Sequence, residues 1–132
     1  MQSGTTHVLL VEDEAAHAEL IQLSFEALPS LRLTVATTLQ QARERAEQAP
    51  PDIVIIDSLL PDGRGVELAT TLSPARRYPI ILLTSQADEA MKAEALAAGV
   101  TRYVVKSDRT LLEMPDIVLE TLRSWSSALP HS

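Results

Sequence analysis

Five short apolar runs, each followed by a segment of helical character, leave a chain of 132 residues few ways to fold. The runs are His7–Val11, Leu31–Ala36, Ile53–Ile56, Pro79–Leu83 and Arg102–Val105. In Val8-Leu9-Leu10-Val11, Ile53-Val54-Ile55-Ile56 and Ile80-Ile81-Leu82-Leu83 every position is apolar. Strands of that kind need cover on both faces, as in the middle of a parallel sheet wrapped by helices. Leu31-Arg32-Leu33-Thr34-Val35 instead alternates with period two, the pattern of an edge strand.

The intervening segments carry helix signals. Ala16, Leu20, Leu23 and Ala27 are expected to share the inward face of a helix over Glu14–Leu28, ended by Pro29. Thr38 with Gln41 three residues on forms a capping box for a second helix that runs to Gln48. Arg64–Leu72 and Asp88–Ala98 are the third and fourth, the latter stopped by Gly99. Val118, Leu122 and Trp125 stripe the last, with Pro115 tolerable in its first turn; Leu111 and Leu112 belong either to its start or to a separate turn. Strict alternation implies right-handed crossovers and an α/β, flavodoxin-like (βα)5 fold: a doubly wound five-stranded parallel sheet of order 2-1-3-4-5. Residues 1–6 read as a loose lead, 7–127 as one domain and 128–132 as a loose tail.

Composition narrows the function classes. A hydrophobic fraction of 45% excludes disorder, and with one Trp, two Tyr and one Phe the core must be aliphatic. The absence of cysteine excludes disulfides, thiolate metal sites and a cysteine nucleophile. Eleven basic against eighteen acidic residues, a net charge of −7, argue against non-specific nucleic-acid binding. No apolar run is long enough to span a membrane, and Glu12 and Asp13 interrupt the first run where a signal peptide needs an unbroken core, so a cytoplasmic protein is expected.

In doubly wound sheets ligands sit beyond the carboxyl ends of the strands. There the sequence places Glu12 and Asp13 after strand one, Asp57 after strand three, Thr84 and Ser85 after strand four and Lys106 after strand five. Three carboxylates in one crevice repel one another unless a hard divalent cation sits among them. Mg2+ fits an oxygen donor set of one or two carboxylates plus phosphate oxygens. The histidines (His7, His17, His131) are expected to lie elsewhere, so zinc is not anticipated. A carboxylate beside Mg2+ and a lysine is a competent phosphoryl acceptor: Asp57 can attack in line to give an acyl phosphate, Lys106 neutralises charge and Thr84 donates to a phosphoryl oxygen.

Val11-Glu12-Asp13-Glu14, Asp57-Ser58-Leu59-Leu60-Pro61-Asp62-Gly63, Leu83-Thr84-Ser85 and Tyr103-Val104-Val105-Lys106 resemble the motifs of the receiver domain of two-component response regulators, from about His7 to Trp125. The resemblance implies that Asp57 accepts a phosphoryl group from a phosphohistidine of a histidine kinase or phosphotransfer protein. It implies that Glu12, Asp13, Asp57 and the Leu59 backbone carbonyl hold Mg2+, and that Thr84 and Tyr103 switch on phosphorylation. The switched surface would be helix four, strand five and helix five, where a downstream protein, a fused signalling domain or a second copy docks. The tail from Val104-Val105-Lys106-Ser107 through Leu111–Pro115 to Trp125 also resembles receivers joined to sensor-kinase modules. Departures from the family pattern are Ser107 after Lys106, where proline is usual, and Ser85 after Thr84, where alanine or glycine is usual. Leu59 and Gln86 occupy positions that tune acyl-phosphate hydrolysis.

Plainer readings stand beside these. Asp57 and Thr84 could be turn or cap residues, Glu12-Asp13 partners of a helix dipole, Lys106 an edge-strand lysine, Tyr103 a packed aromatic and Asp62-Gly63 a turn without chemistry. Arg76 and Arg77 read as a solvated loop pair, and Trp125 as core or a contact surface. A receiver-like interaction module independent of phosphorylation is the alternative function. An aspartate-nucleophile phosphatase would want an acid where Leu59 stands, so a switch rather than an enzyme is expected. Flavin phosphate would be repelled by Glu12-Asp13-Glu14.

Overall fold

The computed structural model describes residues 5–72 and 79–128. The chain order is β1 (Thr6–Val11), α1 (Ala15–Phe25), β2 (Leu31–Ala36), α2 (Leu39–Gln48), β3 (Ile53–Asp57), β4 (Leu59–Leu60), β5 (Gly63–Arg64) and α3 (Gly65–Leu72). It continues with β6 (Ile80–Thr84), α4 (Glu89–Ala97), β7 (Arg102–Val105), α5 (Asp108–Leu112) and α6 (Met114–Ala128). The main sheet is parallel with order β2-β1-β3-β6-β7. Setting aside the two-residue strands β4 and β5, which pair as a small antiparallel hairpin, this is the expected 2-1-3-4-5 order.

The alternation of side chains splits the core in two. Leu9, Val11, Val54, Ile56, Ile80 and Leu82 face α2, α3 and α4, where Leu39, Ala42, Leu68 and Ala95 meet them. Val8, Leu10, Ile53, Ile55, Ile81 and Leu83 face the other way, against Ile21, Phe25, Leu111, Met114 and Val118. Each fully buried aliphatic side chain contributes about 1.5–3 kcal/mol, so both faces of β1, β3 and β6 hold the fold together. β2 lies at the edge, with Arg32 exposed, as its alternation requires.

The helix caps follow local chemistry. Thr38 accepts from the Gln41 N–H at 3.0 Å, but the Gln41 side chain reaches back to the Thr37 N–H, one residue outside the expected box. Asp88 caps α4 by accepting from Ala90 and Met91 N–H, and Gly99 takes a φ of +103° just past its end. Leu111 and Leu112 form a separate short helix, α5, whose N-cap is Ser107 in a capping box with Thr110. No cis peptide bond occurs among the described residues. Pro115 sits in the first turn of α6, with Val118 buried and Leu122 and Trp125 half-buried.

One expected face is corrected. In α1 the buried residues are Ala18, Ile21 and Phe25, while Ala16, Leu23 and Ala27 are exposed. Apolar residues lie nearly all round this helix, so spacing alone did not select the face, and packing against the sheet did. Thr6 opens β1 rather than belonging to a lead. Arg76, Arg77 and the segment beyond residue 128 lie outside the described residues.

Candidate functional site

Four neighbouring parallel strands end at one crevice. β1 runs into Glu12 and Asp13, β3 ends on Asp57, β6 ends on Thr84, and Lys106 follows β7. Neighbouring strand ends are tied by backbone hydrogen bonds, Ser58 N–H to Leu83 O at 2.7 Å and Lys106 N–H to Thr84 O at 2.7 Å. Glu12, Asp57 and Thr84 are buried and Asp13 is exposed. The crevice opens as a cavity of about 570 Å³ lined by Asp13, Asp57, Leu59, Thr84, Met91 and Lys106 among others.

Lys106 is the hub. Its ammonium donates to Asp57 Oδ2 at 2.9 Å and lies 2.8 Å from Glu12 Oε1. The second contact is an ion pair without hydrogen-bond alignment, and Glu12 Oε1 is a buried oxygen with no hydrogen-bond partner. Glu12 Oε2 accepts the N–H of Glu14, the residue just before α1, so one carboxylate touches both the helix start and the crevice. Asp57 Oδ1 accepts the Leu59 N–H at 3.3 Å. Burial, then the neighbouring Asp57, pushes the Glu12 carboxyl up to about 7. Burial opposes the charge on Lys106, but the Glu12 and Asp57 carboxylates outweigh it and raise the amine above its usual range.

Gly65 makes this geometry possible. A Cβ there would run into the Asp57 backbone oxygen and approach Ile56 Cγ2 to 2.7 Å. The hairpin between them is pinned by Asp62, which accepts from the N–H groups of Leu39 and Gln40 at the start of α2. Asp62 therefore caps a helix 23 residues away in sequence, and those hydrogen bonds hold its carboxyl below the ordinary range.

Carboxylate oxygens of Glu12, Asp13 and Asp57 lie within 4.8 Å of one another and could hold a metal ion. Glu12 Oε1, buried and without a hydrogen bond beside the Lys106 ammonium, fits that use, because one ammonium cannot balance the two buried carboxylates of Glu12 and Asp57 and a further cation would. The donors are all oxygen, which suits a hard divalent ion. Thr84 Oγ1 makes a weak turn with Gln86, and Tyr103 Oη reaches the same loop.

The placement of His17 is a correction. It was expected away from the strand ends, yet its Nδ1 lies 3.0 Å from Lys106 Nζ and 3.1 Å from Glu14 Oε1. Position carried the missing signal: a residue in the first turn of the helix after Glu12-Asp13 hangs over the same crevice. Its lone nitrogen beside Lys106 does not make a zinc site.

Among the described residues no helix is long and apolar enough to cross a membrane. The response regulator receiver domain family matches residues 8–115. The chain is 36% identical to the methanogenesis regulatory protein FilR1 of Methanothrix harundinacea over 92% of its length and 28% of that protein's. It is 37% identical to the KDP operon transcriptional regulatory protein KdpE of Escherichia coli over 76% of its length and 44% of that protein's. It thus spans less than half of these relatives. A putative response regulator from Chloroflexus aurantiacus superposes with a TM-score of 0.79 at 25% identity, covering 90% of this chain and 98% of that one. The response regulator domain of Thermotoga maritima CheB gives 0.79 at 22% identity over 96% and 99% of the two chains, a likeness of fold. A flavodoxin-like sheet whose strand ends gather Glu12, Asp13, Asp57, Thr84 and Lys106, matched along most of its length, belongs to the response regulator receiver domain family.

Proposed function

We propose that the chain works as a phosphoacceptor switch in a two-component system. The observation that carries this is the ammonium of Lys106 at 2.9 Å from Asp57 Oδ2, in a crevice that also gathers three carboxylates. An Asp57 oxygen attacks the phosphorus of a phosphohistidine in line; the P–N bond breaks and its electron pair stays with the donor imidazole. Glu12, Asp13, Asp57 and the Leu59 carbonyl would hold Mg2+, which when bound neutralises charge on the phosphoryl group. Lys106 leaves the Asp57 carboxylate for a phosphoryl oxygen, and Thr84 turns its hydroxyl from Gln86 toward another.

The phosphodonor is a histidine kinase or phosphotransfer protein. The added charge biases a two-state element built from Thr84, Tyr103 and α4. The output surface is α4, β7 and α6, where Leu96, Val105 and Leu119 are exposed and a downstream protein, a fused domain or a second copy would dock. The domain is a cytoplasmic switch without a substrate beyond its own phosphoryl group, since Leu59 offers no proton where a phosphatase needs an acid.

Incubation with acetyl phosphate and Mg2+, followed by intact-mass analysis, is the test. A gain of one phosphoryl group that Asp57→Asn abolishes is expected. A folded protein that never gains it, while still binding partners, would leave only a phosphorylation-independent interaction module.

A further inference from the structure

We propose that His17 is a positioning residue for Lys106, fixing the ammonium that meets the phosphoryl group. This rests on the receiver reading above. The side chain of Lys106 is 7% exposed, so its N–H groups depend on protein acceptors. Two are aligned: Asp57 Oδ2 at 2.9 Å and His17 Nδ1 at 3.0 Å. The Glu12 oxygen at 2.8 Å supplies charge but no hydrogen-bond alignment.

The tautomer follows from burial. Nδ1 also faces Glu14 Oε1 at 3.1 Å, and one ring nitrogen cannot accept from Lys106 and donate to Glu14 together. The Glu14 side chain is 57% exposed and has water to satisfy it, whereas the Lys106 side chain is only 7% exposed. Nδ1 is therefore the acceptor and Nε2 carries the proton.

The consequence lies in the exchange of partners. During phosphoryl transfer the bond to Asp57 Oδ2 is the one given up for a phosphoryl oxygen. The bond to His17 needs no change, so the ammonium turns about a fixed anchor. An imidazole does this without adding a fourth negative charge to a crevice that already holds Glu12, Asp13 and Asp57.

The test compares wild type, His17→Leu and His17→Asn, the last placing a side-chain oxygen where Nδ1 stands. His17 is on the partly exposed first turn of α1, so all three should fold, His17→Leu melting lower by about the worth of one hydrogen bond and His17→Asn close to wild type. The first readout, without Mg2+, is the Lys106 ammonium signal in 1H–15N spectra, visible only when hydrogen bonds slow its exchange. The second is the rate of phosphorylation by acetyl phosphate with Mg2+. His17→Leu should lose the signal and slow the reaction about three- to tenfold, the worth of one ordinary hydrogen bond, and His17→Asn should restore both. Wild-type behaviour of His17→Leu, an unchanged rate despite a lost signal, or no signal in wild type would each overturn the proposal. A wild type that shows the signal but takes no phosphoryl group would instead sink the receiver reading, and the reaction role with it.

Discussion

The hydroxyls of Thr84 and Tyr103 converge on one acceptor, the Gln86 carbonyl, at 3.3 and 3.2 Å. Tyr103 Oη also accepts the Asp88 N–H at 3.2 Å, and Asp88 is the N-cap of α4. The residue at the crevice and the aromatic on β7 therefore hold the same loop, Thr84 at Gln86 and Tyr103 at Gln86 and Asp88. If Thr84 rotates toward a phosphoryl group, Gln86 loses one of its two donors, and α4 feels the change through Asp88.

Tyr103→Phe keeps the ring against the core and deletes the hydroxyl's contacts with Gln86 and Asp88. We expect a modest loss of stability, about 1 kcal/mol, since the group is only partly buried. Phosphorylation should proceed at a near-normal rate. Amide shifts in α4 on adding beryllium fluoride and Mg2+ should shrink. A full response in α4 would mean the loop moves without Tyr103.

Gly65→Ala tests how tightly the hairpin is pressed on Asp57. The new methyl meets backbone rather than the end of a flexible side chain, so relaxation must move Asp57 itself. Overpacking of this kind costs about 1–3 kcal/mol, measurable by urea unfolding. Beryllium fluoride affinity should fall further than the stability loss alone explains, because the displaced residue is the proposed phosphoacceptor.

Val8–Val11, Ile53–Ile56 and Ile80–Leu83 announce central strands because no face of them is polar, and the residues after them then mark the crevice. The inward face of α1 was not legible, since Ala15, Ala16, Ala18, Leu20, Ile21, Leu23 and Phe25 surround the helix with apolar groups. Asp62 reaching Leu39 and Gln40 is a contact between a hairpin and a distant helix start, for which local spacing has no signal. His17 is a different case: its place in the first turn after Glu12-Asp13 pointed to the crevice, but its contact with Lys106 lies 89 residues away in sequence.

Acidity should strengthen the metal-free fold through Glu12. Its carboxyl sits at about 7 in the folded chain against an ordinary 4.5. The folded state thus binds the proton more tightly, so the contribution is fully present below 4.5 and is lost as pH rises through 7. Lys106 is raised too, but its window lies above 10.5. His7, held low by burial and Arg32, works the other way, costing stability as pH falls below 6.5. The difference between wild type and Glu12→Gln isolates the first effect. In chelator it should change by about 1–3 kcal/mol between pH 5 and 8, wild type gaining toward acid. A flat difference would show that Lys106 keeps Glu12 ionised throughout.

Asp57→Asn should separate function from stability. In the resting chain Asp57 and Glu12 are buried carboxylates sharing one ammonium, so one negative charge is in excess. The amide keeps an oxygen to accept from Lys106 and removes the repulsion, leaving Glu12 and Lys106 as a balanced pair. Without divalent ions the variant should melt higher than wild type, by a margin that shrinks below pH 7, where Glu12 of the wild type protonates. Mg2+ at millimolar levels should narrow the gap from the other side by raising the wild type more than the variant. Phosphorylation should vanish in the same variant. Lower stability of Asp57→Asn at every pH, with no effect of Mg2+ on either protein, would mean the three acids are held apart from any cation and that the pairing with Lys106 is structural alone.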